Sequence, residues 1–323
     1  MYQSVKLEKG MYHLTGKSFL QALESVDPSE QYQDSPLAGL DAYERQLKRF
    51  DIRISGPACD RVEKFFSTTE SAVLFPEFIR RAIRQGMETS ILSDLTASEI
   101  RSESTQYVGC ELTEQNGNYS ITVSQGTSLP VSLINEGNTP LALTKYGRVI
   151  RASYEAVRRQ RLDSFAVILR GIGVKMANSI VSKAMTALKE GAISTTAKSG
   201  NSLEYSDLAK LCGKFTNFDM TTLIASPSVM ANIMTMEQMT ETTKDISTGK
   251  IYLPFGAVLC KSTTLDNNTI IGIDKNFALE MITGTDLIME TDKLIDNQLD
   301  LISMSLQVGF RVIMKEAVHV LTI

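Results

Sequence analysis

The pattern of apolar and polar positions divides the chain into helical and extended segments. From Asp163 to Glu190 apolar residues recur every three or four positions, which places them on one face of an α-helix; they are Phe165, Leu169, Ile172, Met176, Ile180, Ala184 and Leu188. A helix of this length would reach roughly 42 Å, well beyond the usual three turns. We therefore predict a spine helix around which the chain is organised, with Asp163 capping its start and Gly191 ending it in a left-handed conformation.

Two glycines interrupt the predicted spine. Gly171 and Gly173 each cost a helix about 1 kcal/mol relative to alanine, so we expect another backbone to approach closely at both positions. A second helical pattern runs from Glu70 to Ile91 and places Phe75, Phe78, Ile79, Ala82 and Ile83 on one side.

Between Thr105 and Arg151 the period changes from helical to two residues. Tyr119, Ile121 and Val123 alternate with small polar residues, and Asn116-Gly117 before them is a strong hairpin signal. Two arms of about 18 residues would reach about 50 to 60 Å. Because an isolated two-stranded hairpin is only marginally stable in water, we expect a partner surface for it, such as another copy of the chain; a sheet within the subunit would also explain the alternation.

The second half predicts a mixed α and β region that ends in a long strand. Thr221 to Ala225 reads as a strand and Ser228 to Met236 as the helix after it, while Ile302 to Met314 alternates strictly and is expected to continue to Leu321. We expect this last strand to return beside the spine, because an unpaired apolar strand would promote aggregation.

The first 69 residues are broken repeatedly by proline and glycine. Asp27-Pro28, Ser35-Pro36, Gly39 and Gly56-Pro57 leave only short helical pieces. We therefore expect an arm that forms no core of its own.

The charges are uneven along the chain, although the formal net charge is only −4. The stretch from Arg148 to Glu190 is basic and the stretch from Gly200 to Asp300 is acidic. Arg151, Arg158, Arg159 and Arg161 lead into the spine and are candidates for a nucleic-acid-facing or subunit-facing surface, although such a bias is usually a solvated face.

The residues that carry most catalytic and metal chemistry are scarce. The chain has two histidines, His13 and His319, and four widely spaced cysteines, which makes a histidine-based triad or a metal cluster hard to build. Gly171-Ile172-Gly173 lies inside a helix and lacks the third glycine of a dinucleotide fingerprint. We expect no catalytic residue, no cofactor, no metal and no membrane span, and reduced thiols.

The order of these parts resembles the major capsid protein of tailed double-stranded DNA bacteriophages, whose HK-ninety-seven-type fold is shared with encapsulin shells. The local matches are Ser71 to Phe78 before the first long helix, Leu143 to Tyr146 before the spine, Ile224 to Pro227, and Val308 to Val312 followed by Glu316 to Val318. The resemblance covers roughly Ser71 to Ile323.

The resemblance implies an α+β fold with five parts. They are an N-terminal arm (1–69), a peripheral domain (70–104 and 148–199, with the spine helix), an extended β-hairpin loop (105–147), an axial domain (200–298) and a C-terminal strand (299–323) that returns to the peripheral domain.

The same resemblance implies a structural protein of the virion that is assembled in the host cytoplasm. Copies would form hexamers and pentamers, and the implied partners are a portal, a scaffold or maturation protease, and packaged double-stranded DNA bound without regard to sequence. An encapsulin shell with protein cargo stays as an alternative, as does an α/β enzyme or ligand-binding domain centred on Thr221 to Ser228.

Some members of that family form isopeptide crosslinks between a lysine of the extended loop and an asparagine of a neighbouring subunit. From Ser102 to Thr144 this chain has neither lysine nor arginine, and no asparagine follows Asn297. We therefore predict a shell without such crosslinks.

Overall fold

The computed structural model describes residues 5–14, 17–114, 124–129, 131–240, 249–284, 287–294 and 299–323. The chain separates into two compact units: residues 1–90, 147–177 and 287–305 form the first, and residues 91–146, 178–286 and 306–323 form the second. Helices and sheets are both present, so the predicted α+β class is confirmed. The domain boundaries expected from the sequence stay predictions.

The first unit is mainly helical. Its helices are α1 (Phe19–Val26), α2 (Ala42–Arg49), α3 (Thr69–Ala72), α4 (Phe75–Glu88), α5 (Tyr154–Arg158) and the start of α6 (Leu162–Gly191). Short 3-10 turns lie at Lys9–His13, Ser29–Tyr32 and Val62–Phe66. Ser18 with Gln21, and Asp41 with Glu44, form capping boxes that start α1 and α2, as this residue pairing favours.

Residues of the predicted arm contribute buried side chains to the core of the first unit, while the expectation that the arm forms no core of its own stays a prediction. Leu23, Tyr43 and Phe65 are at most 1% exposed. Arg45 is fully buried and its Nε donates to Asp27 Oδ2 at 3.1 Å, while Tyr32 and Gln46 also donate to the Asp27 carboxylate. Buried polar groups with such complete partners let this segment pack although proline and glycine keep its helices short.

The spine helix is confirmed within one residue at each end. Six of the seven predicted stripe residues are buried and Ile172 is half-buried. By length and composition α6 is apolar enough to cross a membrane, but its first half packs a buried stripe within the first unit, where Phe165 stacks on Phe75 at 6.2 Å. That arrangement is typical of a core helix.

Both ends of the spine helix differ from the predicted ends in detail. The helix begins at Leu162, so Asp163 lies in the first turn, where its carboxylate accepts from Ser164 N and from Arg161. Gly191 is the last helical residue and is absent from the residues with positive φ. A Cβ on Gly191 would lie 2.4 Å from Val312 Cγ2, so close packing explains this glycine better than a left-handed turn does.

The second unit contains a five-stranded sheet covered by helices. The strand order is β7 (Ser194–Ala197), β14 (Val318–Thr322), β10 (Thr269–Ile273), β8 (Thr222–Ala225) and β9 (Val258–Lys261). Helices α7 (Tyr205–Cys212), α8 (Pro227–Met234) and α9 (Glu237–Thr240) belong to the same unit. The predicted strand, turn and helix around Ser226-Pro227 are confirmed, because Ser226 Oγ caps α8 by accepting from Val229 N.

The core of this sheet is made by apolar residues from the helices and strands. The central members, all fully buried, are Leu208, Leu211, Leu223, Ile233, Ile270 and Leu321. Residues 251 to 259 do not form one strand, because a turn at Leu253–Gly256 precedes β9, and Gly256 has a φ of 91° there.

The other paired strands are β1 (Thr96–Arg101), β6 (Thr144–Ser153), β11 (Leu279–Thr283), β12 (Ile288–Leu294) and β13 (Leu299–Val312). In the second unit β11 pairs with β1 in parallel and with Val308–Val312 of β13 in antiparallel register. In the first unit β12 pairs with the other end of β13.

The end of the chain corrects one expectation. The long alternating strand ends at Val312, and a 3-10 turn at Lys315–Ala317 separates it from β14. β14 does not continue β13 but pairs with β7 and β10 in the other sheet. The sequence pattern did not predict this turn, because apolar residues follow it directly.

Candidate functional site

The extended loop is an antiparallel hairpin in its described parts. Near its root β2 (Gln106–Tyr107) pairs with β5 (Leu141–Ala142), and further out β3 (Cys110–Glu114) pairs with β4 (Ser132–Glu136). The predicted hairpin is therefore confirmed there. Its predicted turn at Asn116-Gly117 and the alternation of Tyr119, Ile121 and Val123 lie outside the described residues.

The outer part of the hairpin exposes apolar side chains. Leu112 and Ile134 lie directly opposite each other across the two strands, and they are 44% and 73% exposed. Leu129 and Val131 on the same loop are also exposed. Single exposed apolar residues are ordinary, but a paired group on a thin hairpin is typical of a surface that another molecule covers.

The root of the hairpin is fixed to strands β11 and β13 of the second unit by charged groups. Arg311 on β13 donates from Nε to Glu280 Oε2 at 2.6 Å and from Nη2 to the carbonyl oxygen of Cys110 at 3.1 Å. Beside this contact lies an open groove of about 610 Å³ that is lined by the hairpin root, by Asn217 and Phe218, and by Arg311 to Glu316. This contact could not be predicted from local patterns, because Arg311 and Cys110 lie far apart in the chain.

The four arginines predicted to form a basic surface differ in their surroundings. Arg151 is exposed on β6 and Arg159 is exposed just after α5. The Arg158 guanidinium lies 5.1 Å from the centre of the Phe66 ring. Arg161 donates to Asp163 Oδ2 at 2.8 Å and to the carbonyl oxygen of Gly56, and the hydrogen bond with Asp163 raises the pKa of Arg161.

These contacts distinguish Arg161, whose charge is paired within the subunit, from the other candidates. Because Asp163 neutralises Arg161 within the subunit, Arg151 and Arg159 are better placed than Arg161 to meet an external anion. The role of all four as an inner or intersubunit surface stays a prediction.

The spine helix also has an exposed apolar face in the first unit. Val167 and Ile168 are each 58% exposed, and a Cβ on Gly171 would meet no atom within 4 Å. The expectation of a close backbone at Gly171 is therefore wrong within this subunit, and the open glycine leaves a shallow apolar strip along the helix.

The histidine in the last strand has a structural setting. His319 is 5% exposed, its Nδ1 lies 2.7 Å from Ser194 Oγ, and the edge of the Phe215 ring packs on it. Burial lowers its pKa. Among the described residues no group of three or more His, Cys, Asp or Glu side chains could hold a metal ion.

Comparison with known proteins identifies the class. A family model described as phage capsid protein matches residues 137–300, just over half of the chain. No curated protein matches the sequence.

Solved structures of shells share the fold. A virus-like particle from Pyrococcus furiosus is 16% identical with a TM-score of 0.55, and the match covers 76% of this chain and 98% of that one. The capsid of an empty GTA particle is 12% identical with a TM-score of 0.53, covering 72% of this chain and 89% of that one. An encapsulin complex from Synechococcus elongatus is also 12% identical, with a TM-score of 0.52, and the match covers 72% of this chain and 86% of that chain.

The fold is therefore the HK-ninety-seven-type fold of shell-forming proteins, as the sequence predicted. The chain belongs to the phage capsid protein family. It is a structural protein, a major capsid protein, and the predicted resemblance is confirmed.

Proposed function

We propose that copies of this chain assemble, as hexamers and pentamers, into the closed icosahedral head of a tailed bacteriophage or prophage and enclose double-stranded DNA. Rings of this kind are built from heterologous contacts that close by rotation. The chain acts without catalysis or cofactor and becomes part of the virion after assembly in the host cytoplasm.

The observation that carries this proposal is the exposed apolar pair on the hairpin. Within the described part of the subunit, the side chains of Leu112 and Ile134 stay 44% and 73% exposed, although they lie opposite each other on the hairpin. Burying two such side chains against a neighbour contributes about 1.5 to 3 kcal/mol each when burial is complete. A subunit that repeats this contact around a ring gains stability at every interface.

The content of the shell separates the two members of this fold class. The family match supports a phage head, and the likeness to an encapsulin supports a protein-filled shell as the alternative. Purified particles from the native host settle the choice through the ratio of absorbance at 260 and 280 nm and through mass spectrometry of the contents.

The proposed partners are a portal, a scaffold or maturation protease, and packaged DNA. Arg151, Arg158 and Arg159 would offset phosphate repulsion, and contacts of this kind weaken as the salt concentration rises, because release of counterions from the DNA is then less favourable. Reversal of Arg151 and Arg159 to Glu should lower the amount of packaged DNA while empty shells still form. Loss of assembly with these variants would instead assign the two arginines to a subunit interface.

The central test is electron microscopy of the expressed protein together with one matched pair of variants. Wild-type protein should form shells, capsomers or tubes. Ile134→Asn should fold with unchanged thermal stability, because the side chain is 73% exposed, yet assemble poorly; Ile134→Leu should assemble normally. A monodisperse monomer at high concentration, or normal shells from Ile134→Asn, would overturn the proposal.

A further inference from the structure

The side chain of Arg311 joins three parts of the second unit at one point. Arg311 and Glu280 lie directly opposite each other on β13 and β11, and their side chains are only 20% and 7% exposed. The Glu280 carboxylate also accepts from Ser98 Oγ on β1 at 3.2 Å. The pair therefore spans the three strands β1, β11 and β13.

The third partner of Arg311 is the backbone of the hairpin root. Nη2 donates to the carbonyl oxygen of Cys110, the first residue of β3. The ring of Tyr107 on β2 lies 5.8 Å from the guanidinium carbon, within reach of a cation–π contact. One side chain thus contacts the hairpin at two consecutive strands of its first arm.

Gly109 provides the space that this contact needs. A Cβ at position 109 would lie 1.9 Å from the guanidinium carbon and 2.0 Å from Nη1 of Arg311, so an alanine there requires the Arg311 guanidinium to move away. The carbonyl oxygen of Gly109 also accepts from Gly137 N at 2.8 Å, which ties the second arm to the first at the same level. Both arms of the hairpin are therefore fixed where the guanidinium meets them.

The chemistry of arginine suits this role and that of lysine does not. A planar guanidinium can donate in two directions at once from a rigid fork, whereas an ammonium is a single point of charge. Burying a charged side chain is unfavourable unless its partners are in place. The contact thus holds the hairpin root in one arrangement and disfavours others, because another arrangement would leave the Arg311–Glu280 pair with an unfilled donor.

We propose that Arg311 is the positioning residue that sets the direction in which the hairpin leaves the sheet, with Glu280 as its anchor and Gly109 as the opening that admits it. This inference rests on the proposed function, because a hairpin of fixed direction matters most when the hairpin must reach a neighbouring subunit. The groove beside Arg311 gives the hairpin room to swing once the contact is lost.

The direction of the hairpin can be measured in unassembled subunits. Nitroxide labels carried by unnatural keto amino acids at Leu129 on the loop and Lys261 on β9 leave the native cysteines untouched, and both positions are exposed. Electron–electron double resonance should give one narrow distance distribution in the wild-type background. Arg311→Met, Arg311→Lys and Gly109→Ala should each replace it with a broad one.

Two of the three variants have a control that separates positioning from folding. Gly10→Ala matches Gly109→Ala, because a Cβ at Gly10 would meet no atom within 4 Å, and Arg148→Lys matches Arg311→Lys at an exposed arginine. Gly109→Ala keeps both charged groups, so it tests the inference even if Arg311→Met fails to fold, and far-ultraviolet circular dichroism reports folding in every case.

The distance distribution between the labels and the yield of shells together decide whether the inference holds. The loss of one charge-assisted contact should lower shell yield by roughly tenfold or more, with the broad distribution and normal circular dichroism. An unchanged narrow distribution in Gly109→Ala and Arg311→Lys would overturn the inference, as would broad distributions with normal shell yield. If the wild-type protein forms no shells, the proposed function fails, while the distance measurement still decides whether Arg311 fixes the hairpin.

Discussion

Gly86 on α4 and Gly173 on α6 lie against each other where the two helices meet in the first unit. A Cβ on Gly173 would lie 3.1 Å from the Gly86 Cα and 2.1 Å from the carbonyl oxygen of Ile83, and a Cβ on Gly86 would lie 2.1 Å from the carbonyl oxygen of Arg170. The two backbones therefore touch directly, and neither position can hold a side chain unless the helices separate.

Replacement of either glycine should destabilise the first unit. Gly86→Ala and Gly173→Ala force the helices apart, and we expect a loss of about 1 to 3 kcal/mol in the free energy of unfolding despite the higher helix propensity of alanine. Urea unfolding of unassembled subunits measures the effect.

Gly171 is the matched control for this prediction, because it lies on the same helix with open space around it. Gly171→Ala should be neutral or stabilise the helix by up to about 1 kcal/mol. A similar loss of stability in all three variants would show that helix contact does not explain the difference.

The sequence predicted those parts of the fold that local patterns encode. The spine helix, the role of Gly173 and the antiparallel hairpin follow from periodicity and from the cost of glycine in a helix. Gly171 was predicted wrongly, because the pattern cannot tell which face of α6 another helix crosses. The Arg45–Asp27 and Arg311–Glu280 pairs were missed because only the folded chain brings those residues together.

The buried pair of Asp27 and Arg45 makes the N-terminal segment part of the folded core. Asp27→Asn would leave the buried Arg45 guanidinium with Glu24, 3.5 Å away, as its remaining counter-charge among the described residues, so we expect a loss of about 3 kcal/mol, the lower end for breaking a buried pair. Urea unfolding measures the change, and limited proteolysis should show faster cleavage within residues 17–69.

An exposed ion pair in the same segment provides the control. Lys6 and Glu8 form a pair at 2.8 Å with both side chains mostly exposed, so Glu8→Gln should leave stability and proteolysis unchanged. Equal effects of the two variants would argue that residues 17–69 form a loose arm after all.

His319 should make the stability of the second unit depend on pH. Burial is the main cause that lowers its pKa, and Lys214 lowers it further, while the backbone hydrogen bond and the charge of Glu316 act in the opposite direction. Below about pH 6.5, the ordinary histidine value, the unfolded chain binds a proton that the folded chain resists, so stability falls as the pH falls.

A variant without an ionisable ring isolates this contribution. Thermal unfolding at pH 7.5 and pH 5 should show a larger loss in the wild-type protein than in His319→Gln, in which only the carboxylates and the other histidine still titrate. An equal loss in both proteins would mean that His319 does not carry the effect.

The composition of the hairpin loop predicts how the shell is held together. An isopeptide crosslink needs a lysine amine, and the loop from Ser102 to Thr144 contains no lysine, while Lys145 follows at its base. Stability must then come from buried apolar contacts such as those of Leu112 and Ile134, or from added proteins. Assembled particles boiled in denaturant and reductant should therefore run as a single band near 35.6 kDa, or lower if a segment is cleaved.

Introducing a lysine at Leu129 should not create crosslinks, because the reaction also needs a matching asparagine and its surroundings on the neighbouring subunit. A ladder of covalent oligomers from the wild-type protein would show that another chemistry joins the subunits.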